Sequence, residues 1–271
     1  MAGVIAVGGP VRLGSPDAPL RFAEKDRPGT WRGNRYLMLD GQDAFELSFW
    51  CGTCPFLFER QTGASRTLSP EQLTARLGAG LSGVDADVVA AAGALIPEGE
   101  YLPLLTTIRP RLVLPGDRDD YFSAEQVRTW GISDFWGLPE YPRTAYYRGA
   151  TVPAGPGARL FEFIVPMVPP TWNEPGRVAS YAEQMSAGAS PACLAVTILD
   201  ICQPAVAKPG AAEPGLAHWG LAHFLLDGHH KAQAAAQAGR PVQLLTLLAI
   251  DHSLASRDQI LAVPAILATA E

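Results

Sequence analysis

The last third of the chain alternates apolar segments of strand length with one alanine-rich segment. Residues 194–201, 221–226 and 242–248 are apolar runs with the length expected of buried strands. The alanine-rich run 232–236 comes shortly after the second of them and has the composition of a helix. This order predicts an α/β fold in which a strand leads directly into a helix near residue 228.

The first part of the chain is less regular and predicts a mixed α/β arrangement. Two strands, 36–39 and 44–50, flank the four-residue turn 40–43 and are expected to form a hairpin. A helix is expected to begin with Ser69 as its N-cap and Pro70 in its first position. Further strands are predicted over 101–108 and 160–165, and a short helix over 123–130.

Segments rich in proline and glycine suggest how the chain is divided. Residues 151–158 and 203–215 are both expected to be loops. The first separates an N-terminal mixed-sheet part, residues 1–150, from a C-terminal unit, residues 159–271, and the second is interpreted as an insertion within that unit. A chain of 271 residues can form two such domains or pack both parts into one.

Candidate chemistry lies at the predicted strand-to-helix junction, in Asp227-Gly228-His229-His230-Lys231. The first turn of a helix presents unpaired backbone N–H groups and a partial positive charge. A glycine lets the backbone approach a ligand closely, and two imidazoles and an ammonium can add donors and charge. The segment therefore predicts an anion pocket, with phosphate as the obvious ligand.

Each residue of the segment is expected to have its own role in this pocket. His230 and Lys231 would neutralise phosphate charge and Gly228 would offer a backbone contact, so the expected ligand is a small phosphorylated molecule such as ATP or another nucleotide, with Mg²⁺. Asp227 would hold the metal or orient an imidazole. If the protein is an enzyme, phosphoryl transfer or phosphate-ester hydrolysis is the expected class, with His229 or Asp227 as the general base. The alternative is an ordinary turn in which Asp227 caps a solvated helix start.

The order of the C-terminal elements also resembles a known fold. The strand 194–201, a connection, the strand that ends in residues 227–231, its helix and the strand 242–248 are similar to the ParB/sulfiredoxin-like fold. The resemblance covers roughly the last 80 residues. It implies that Gly228, His230 and Lys231 hold nucleotide phosphates. His229 stands where sulfiredoxins carry their catalytic cysteine, so sulfiredoxin activity is not expected.

A second candidate is Cys51-Gly52-Thr53-Cys54, at the end of a predicted strand. The Cys-x-x-Cys spacing suits a dithiol couple or half of a tetrahedral zinc site. Three interpretations stay open: a structural turn, a zinc site completed by histidine in a metal-stabilised or interaction protein, and a thiol oxidoreductase. Cys193 and Cys202 lie on or near one predicted strand and are expected to pack as small apolar residues.

Charge and composition limit the possible partners. The chain carries 21 basic and 27 acidic residues, a formal net charge of −6. This balance gives no general attraction to DNA or to anionic membranes, so neither is expected as a partner. No targeting segment and no long apolar stretch is evident, which favours a cytoplasmic protein with reduced thiols.

Two further polar groups have open interpretations. Asp117, Asp119 and Asp120 precede a predicted helix as a cation site or, more simply, as a capping loop. His218 and His223 are an odd number of positions apart on one predicted strand, so they are expected on opposite faces as core or edge histidines.

Overall fold

The structure is a computed structural model that describes residues 3–25, 35–48, 56–130, 144–203 and 216–269. Within these ranges the strands are β1 (Gly3–Val7), β2 (Val11–Leu13), β3 (Leu20–Glu24), β4 (Arg35–Leu39), β5 (Gln42–Leu47), β6 (Phe58–Arg60), β7 (Gly99–Ile108), β8 (Arg111–Val113), β9 (Tyr146–Gly155), β10 (Ala158–Pro166), β11 (Ala192–Cys202), β12 (Ala217–Asp227) and β13 (Val242–Ala249). The α-helices are α1 (Glu71–Ala79), α2 (Ala86–Gly93), α3 (Glu125–Trp130), α4 (Pro175–Ser186), α5 (His229–Ala238) and α6 (Arg257–Leu267), and a 3₁₀ turn covers Pro170–Trp172.

The strands form two sheets. The main sheet has the order β1-β7-β13-β11-β12-β10-β9-β8, with β2 also paired to β7. It is mixed, because β10 runs parallel to β12 and β11 runs parallel to β13, while the other pairs are antiparallel. The second sheet, β3-β4-β5-β6, is antiparallel. Helices and mixed sheets together confirm the predicted α/β class.

The main sheet contains strands from both parts of the chain. β7 pairs with β13 over eight residues, from Val242 opposite Ile108 to Ala249 opposite Tyr101.

The two faces of the main sheet are covered by different elements. The second sheet, α1 and α2 pack on one face, whereas α4, α5 and α6 pack on the other. Strands buried on both faces carry continuous apolar runs, which is why β11, β12 and β13 are easily recognised in the sequence.

The predicted first hairpin is confirmed, but its turn is shorter than expected. β4 ends at Leu39 and β5 begins at Gln42, so Asp40 and Gly41 alone form the turn. Both have positive φ angles, 50° and 78°. A two-residue turn with two positive φ angles matches the right-handed twist of a hairpin, and Asp-Gly is one of the preferred pairs.

Two other local predictions were wrong. Helix α1 begins at Glu71 with Pro70 at the N-cap and no side-chain capping bond, because the Ser69 hydroxyl is bonded to Asp227 instead. Residues 151–158 are not a loop; they belong to the β9–β10 hairpin. Pro153 fits there because, within the described residues, β8 pairs only with residues 146–148, so the missing N–H of Pro153 breaks no ladder on that side.

Several other expectations are confirmed. The predicted strands over 101–108 and 160–165 lie within β7 and β10, and the helix over 123–130 contains α3. Cys193 and Cys202 are both buried, near opposite ends of β11. Residues 204–215, the rest of the predicted insertion loop, lie outside the described residues. No helix in the described ranges is long and apolar enough to cross a membrane.

Candidate functional site

The predicted strand-to-helix junction is confirmed and is closely packed. β12 ends at Asp227, α5 begins at His229, and Gly228 between them has φ 97° and ψ 18°. A Cβ atom at Gly228 would lie 2.6 Å from the Sγ atom of Cys193 and 2.9 Å from its Cα atom. Glycine is therefore required here because the junction backbone lies against β11.

Asp227 and Lys231 form a partly enclosed ion pair at the junction. The Lys231 ammonium lies 3.0 Å from Asp227 Oδ2 and donates to the Ala192 carbonyl at 2.9 Å. The Ser69 hydroxyl donates to Asp227 Oδ1 at 2.5 Å. Burial alone would raise the pKa of Asp227, but Lys231 and Ser69 outweigh burial and lower that pKa. Asp227 is thus a charged acceptor with both oxygens bonded.

His229 is buried and uncharged. Its Nε2 atom accepts a hydrogen bond from the Met167 backbone N–H at 3.0 Å, so the ring proton is on Nδ1. Burial lowers the pKa of His229 to about 4. Nδ1 is buried and has no hydrogen-bond partner in the described part of the protein. His229 therefore holds the end of β10 against α5 and keeps one N–H group without an acceptor.

His230 makes a parallel contact with the start of α4. Its Nε2 atom accepts from the Glu174 backbone N–H at 3.1 Å. Partial burial and the nearby charge of Arg177 lower the pKa of His230. Asn173 adds to this connection by donating to the His229 carbonyl at 3.3 Å and to Gln233 at 2.7 Å. Both junction histidines are therefore neutral acceptors that join α5 to the segment between β10 and α4.

A small cavity of about 70 Å³ opens beside these residues. A single water needs roughly 10–15 Å³ on the same measure, so the space suits a group of about five heavy atoms. Arg177 and the start of α5 supply positive charge to it. The cavity is lined by Thr67, Ser69, Arg177, Tyr181 and all five residues from Asp227 to Lys231.

The junction thus brings together Asp227, Gly228, His229, His230 and Lys231. Most of their polar side-chain atoms are already hydrogen-bonded within the protein. The first bond within α5 is donated by the Ala232 N–H to the Gly228 carbonyl at 2.8 Å. The backbone N–H groups of residues 229–231 precede that bond, so they have no partner within the helix. They give the helix start its anion-binding character. The arrangement can accept an anionic group, whereas a free general base is not among its contacts.

The second predicted site cannot be placed, because Cys51 and Cys54 lie outside the described residues. Among the residues that the structure does describe, no group of three or more His, Cys, Asp and Glu side chains is arranged to hold a metal ion. In the acidic loop, Asp120 accepts from the N–H groups of Gly116 and Phe122 and from the Tyr146 hydroxyl. These bonds fit the simpler interpretation of the carboxylates as capping groups.

A row of buried polar side chains was missed in the sequence. Glu162, His223, Thr197 and Thr246 lie on the neighbouring strands β10, β12, β11 and β13. His223 Nε2 is 3.2 Å from Glu162 Oε1, His223 Nδ1 is 2.7 Å from Thr197 Oγ1, and Thr197 also contacts Thr246. All four are at most 3% exposed, so the carboxylate, imidazole and hydroxyl groups satisfy one another inside the core.

The other strand histidine also satisfies its ring nitrogens in the interior. His218 contacts the Tyr121 hydroxyl through Nδ1 at 2.7 Å and Thr129 through Nε2 at 2.9 Å. It lies on the face of β12 that meets the second sheet, whereas His223 lies on the helix-covered face. The prediction of two core histidines on opposite faces is confirmed. A histidine or a carboxylate within an apolar strand was the local signal for these networks.

Comparison with known proteins finds no matching family model, no matching curated protein and no matching solved structure. The resemblance to the ParB/sulfiredoxin-like fold therefore stays a prediction.

Proposed function

We propose that the protein binds a phosphorylated small molecule whose phosphate group occupies the cavity at the start of α5. The observation that carries this proposal is the match between the cavity and one phosphate group. The cavity has a volume of about 70 Å³, and it is bordered by a helix start, an arginine and a lysine. The rest of a nucleotide or phosphosugar would lie outside it.

The charge balance supports an anion. The charge of Lys231 is matched by Asp227 at 3.0 Å. Arg177 is exposed and makes no ion pair with any described residue. The partial positive charge of α5 adds to the guanidinium of Arg177. The Nδ1–H group of His229, which lacks an acceptor, becomes a further donor if its ring turns toward the cavity.

The proposed function is phosphate binding and does not include catalysis. Phosphoryl transfer or ester hydrolysis at the junction would require one of the present contacts to open, since Asp227 is bonded to Ser69 and Lys231. His229 accepts from Met167 through Nε2 and offers only an N–H group at Nδ1. We therefore assign Arg177, Lys231 and the first turn of α5 to phosphate binding, and Asp227 to positioning Lys231.

Calorimetry and thermal unfolding with inorganic phosphate, a phosphosugar and ATP, each with and without Mg²⁺, test the proposal. A ligand at 100 times its Kd should raise the free energy of unfolding by about 2.7 kcal/mol. Arg177→Ala should weaken binding by roughly tenfold or more, because it removes a charged hydrogen-bond donor. Arg240→Ala removes the same charge from an exposed position beyond α5 and should leave the affinity unchanged.

Lys231→Ala should also abolish most of the stabilisation by ligand. Because this change leaves the partly buried Asp227 without its cation, the stability of the ligand-free variant has to be measured beside it. If none of the phosphate compounds stabilises the wild-type protein, or if Arg177→Ala and Arg240→Ala bind equally well, the proposal is wrong.

A further inference from the structure

A second cavity lies between the second sheet and the turn that follows β13. Its volume is about 420 Å³, compared with about 70 Å³ at the junction. Ligand pockets in proteins commonly measure about 300–1,000 Å³. Its lining includes Phe22, Glu24, Arg35, Asp251 and His252.

Hydrogen bonds from Arg35 hold the walls of this cavity together. The Arg35 guanidinium lies 2.8 Å from Asp200 on β11 and donates to the His252 carbonyl at 2.7 Å. Asp200 in turn accepts from the Leu254 N–H at 3.1 Å. Arg35 and Asp200 are both buried. These bonds link β4, β11 and the turn after β13, so the cavity is formed by fixed elements, and the charge of Arg35 is cancelled by Asp200.

Aromatic rings form the apolar part of the lining. Phe22 stacks on His252 with ring centroids 4.6 Å apart. His252 Nε2 lies 3.3 Å from the Glu98 carbonyl, so it donates there and Nδ1 is an acceptor. Burial lowers the pKa of His252, and the imidazole is therefore uncharged at neutral pH.

Two carboxylates give the cavity its net charge. Glu24 is exposed at the end of β3 and makes no ion pair with the described residues. Asp251 uses Oδ2 to accept from the Glu100 N–H at 2.9 Å, which leaves Oδ1 available. The nearby ammonium of Lys25 is bonded to Asp43. With Arg35 balanced by Asp200, the lining is acceptor-rich and negative.

We propose that this cavity binds a small organic cation, an amine or guanidinium compound with an apolar portion. Glu24 and Asp251 receive the charged nitrogen, because charge-assisted hydrogen bonds to carboxylates are the strong ones. Phe22 contacts the apolar portion and attracts the cation through its ring. A metal ion fits less well, since no group of three metal ligands occurs among the described residues.

Matched small molecules test this inference on the full chain. Phenethylamine and agmatine should bind saturably in calorimetry or NMR titration, whereas 2-phenylethanol, which lacks the charge of phenethylamine, should bind at least roughly tenfold more weakly. Glu24→Gln preserves the shape of an exposed side chain and should lower the phenethylamine affinity by a similar factor. Glu183→Gln makes the same change at an exposed position on α4 and should have no effect.

Asp251→Asn keeps an acceptor for the Glu100 N–H and should also weaken the amine, which gives a second variant if Glu24→Gln folds poorly. Arg177→Ala should leave amine binding unchanged, so this inference and the phosphate proposal can fail separately. Equal binding of the amine and the alcohol, no saturable amine binding up to millimolar concentration, or full affinity in both carboxylate variants would overturn the inference.

Discussion

Replacing Gly228 by alanine should destabilise the protein for two separable reasons. The first is conformational, because Gly228 has φ 97°, and an L-residue in the left-handed region costs about 1–2 kcal/mol. The second is steric, because the new methyl group would lie 2.6 Å from Cys193 Sγ and 2.9 Å from Cys193 Cα and Cβ. Overpacking of this kind costs about 1–3 kcal/mol, so the free energy of unfolding should fall by about 2–5 kcal/mol in total.

Gly239 at the other end of α5 provides the matched control. It has φ 59° at the C-cap, and a Cβ atom there would meet no atom within 4 Å. Gly239→Ala should therefore show only the conformational loss of about 1–2 kcal/mol. The difference between the two alanine variants measures the contact between the junction and β11.

Urea unfolding followed by circular dichroism and by fluorescence gives both free energies. Adding Cys193→Ala to Gly228→Ala should recover part of the steric loss, because it removes the sulfur but leaves the Cα and Cβ contacts. Equal losses in Gly228→Ala and Gly239→Ala would refute the packing argument. Since the added methyl points at Cys193, the folded Gly228→Ala variant should keep its affinity for phosphate, whereas a lost affinity would mean that Gly228 serves ligand approach.

The remaining predictions concern pH, metal and DNA. Burial lowers the pKa of His218 to about 3 and of His229 to about 4. Below pH 6.5, the ordinary pKa of histidine, the unfolded state therefore binds more protons than the folded state. The free energy of unfolding should fall as the pH drops from 6.5 toward 4, by up to ~1.4 kcal/mol per pH unit for each histidine. His229→Gln, which keeps an acceptor for the Met167 N–H, should make that slope shallower in urea unfolding between pH 5 and 6.5, and an unchanged slope would contradict the assignment. If Cys51 and Cys54 hold zinc, elemental analysis should find close to one equivalent, and serine at either position should release metal and lower stability; metal-free protein with two freely titrating thiols would exclude the site. Duplex DNA should bind no tighter than micromolar in about 150 mM salt, and a submicromolar, salt-dependent complex would reveal a basic surface that the net charge hides.

The sequence predicted the elements of the main sheet better than their arrangement. β11, β12 and β13 are buried on both faces, so they are long and predominantly apolar. The pairing of β7 with β13 could not be predicted, because it joins residues more than 130 positions apart, and no local pattern specifies such a partner. The β9–β10 hairpin was mistaken for a loop because Pro153 and the neighbouring glycines are typical of loops, and only the edge position of that stretch makes them compatible with a strand.

The candidate site shows the same division between local and distant information. The Asp227–Lys231 ion pair follows from a spacing of four residues at the start of a helix, and the glycine between strand and helix was recognisable from its type. The Ser69 contact with Asp227 spans 158 positions and the Met167 contact with His229 spans 62. Those distant partners occupy acceptors of both expected general bases, since Ser69 bonds one oxygen of Asp227 and Met167 bonds Nε2 of His229.

Net charge was equally unable to predict the sign of either cavity. The chain has a formal charge of −6, yet the junction cavity is positive and the larger cavity is negative. Charges farther apart than about 8–10 Å are largely screened in physiological salt, so the sign inside a cavity depends on which nearby charges are paired. Arg35 contributes little to its cavity because Asp200 lies 2.8 Å away, whereas Arg177 contributes positive charge because it is not paired with a described residue. The sign of the charge in each cavity therefore follows from the pairing of individual side chains, which becomes visible only when both sheets and their helices are assembled.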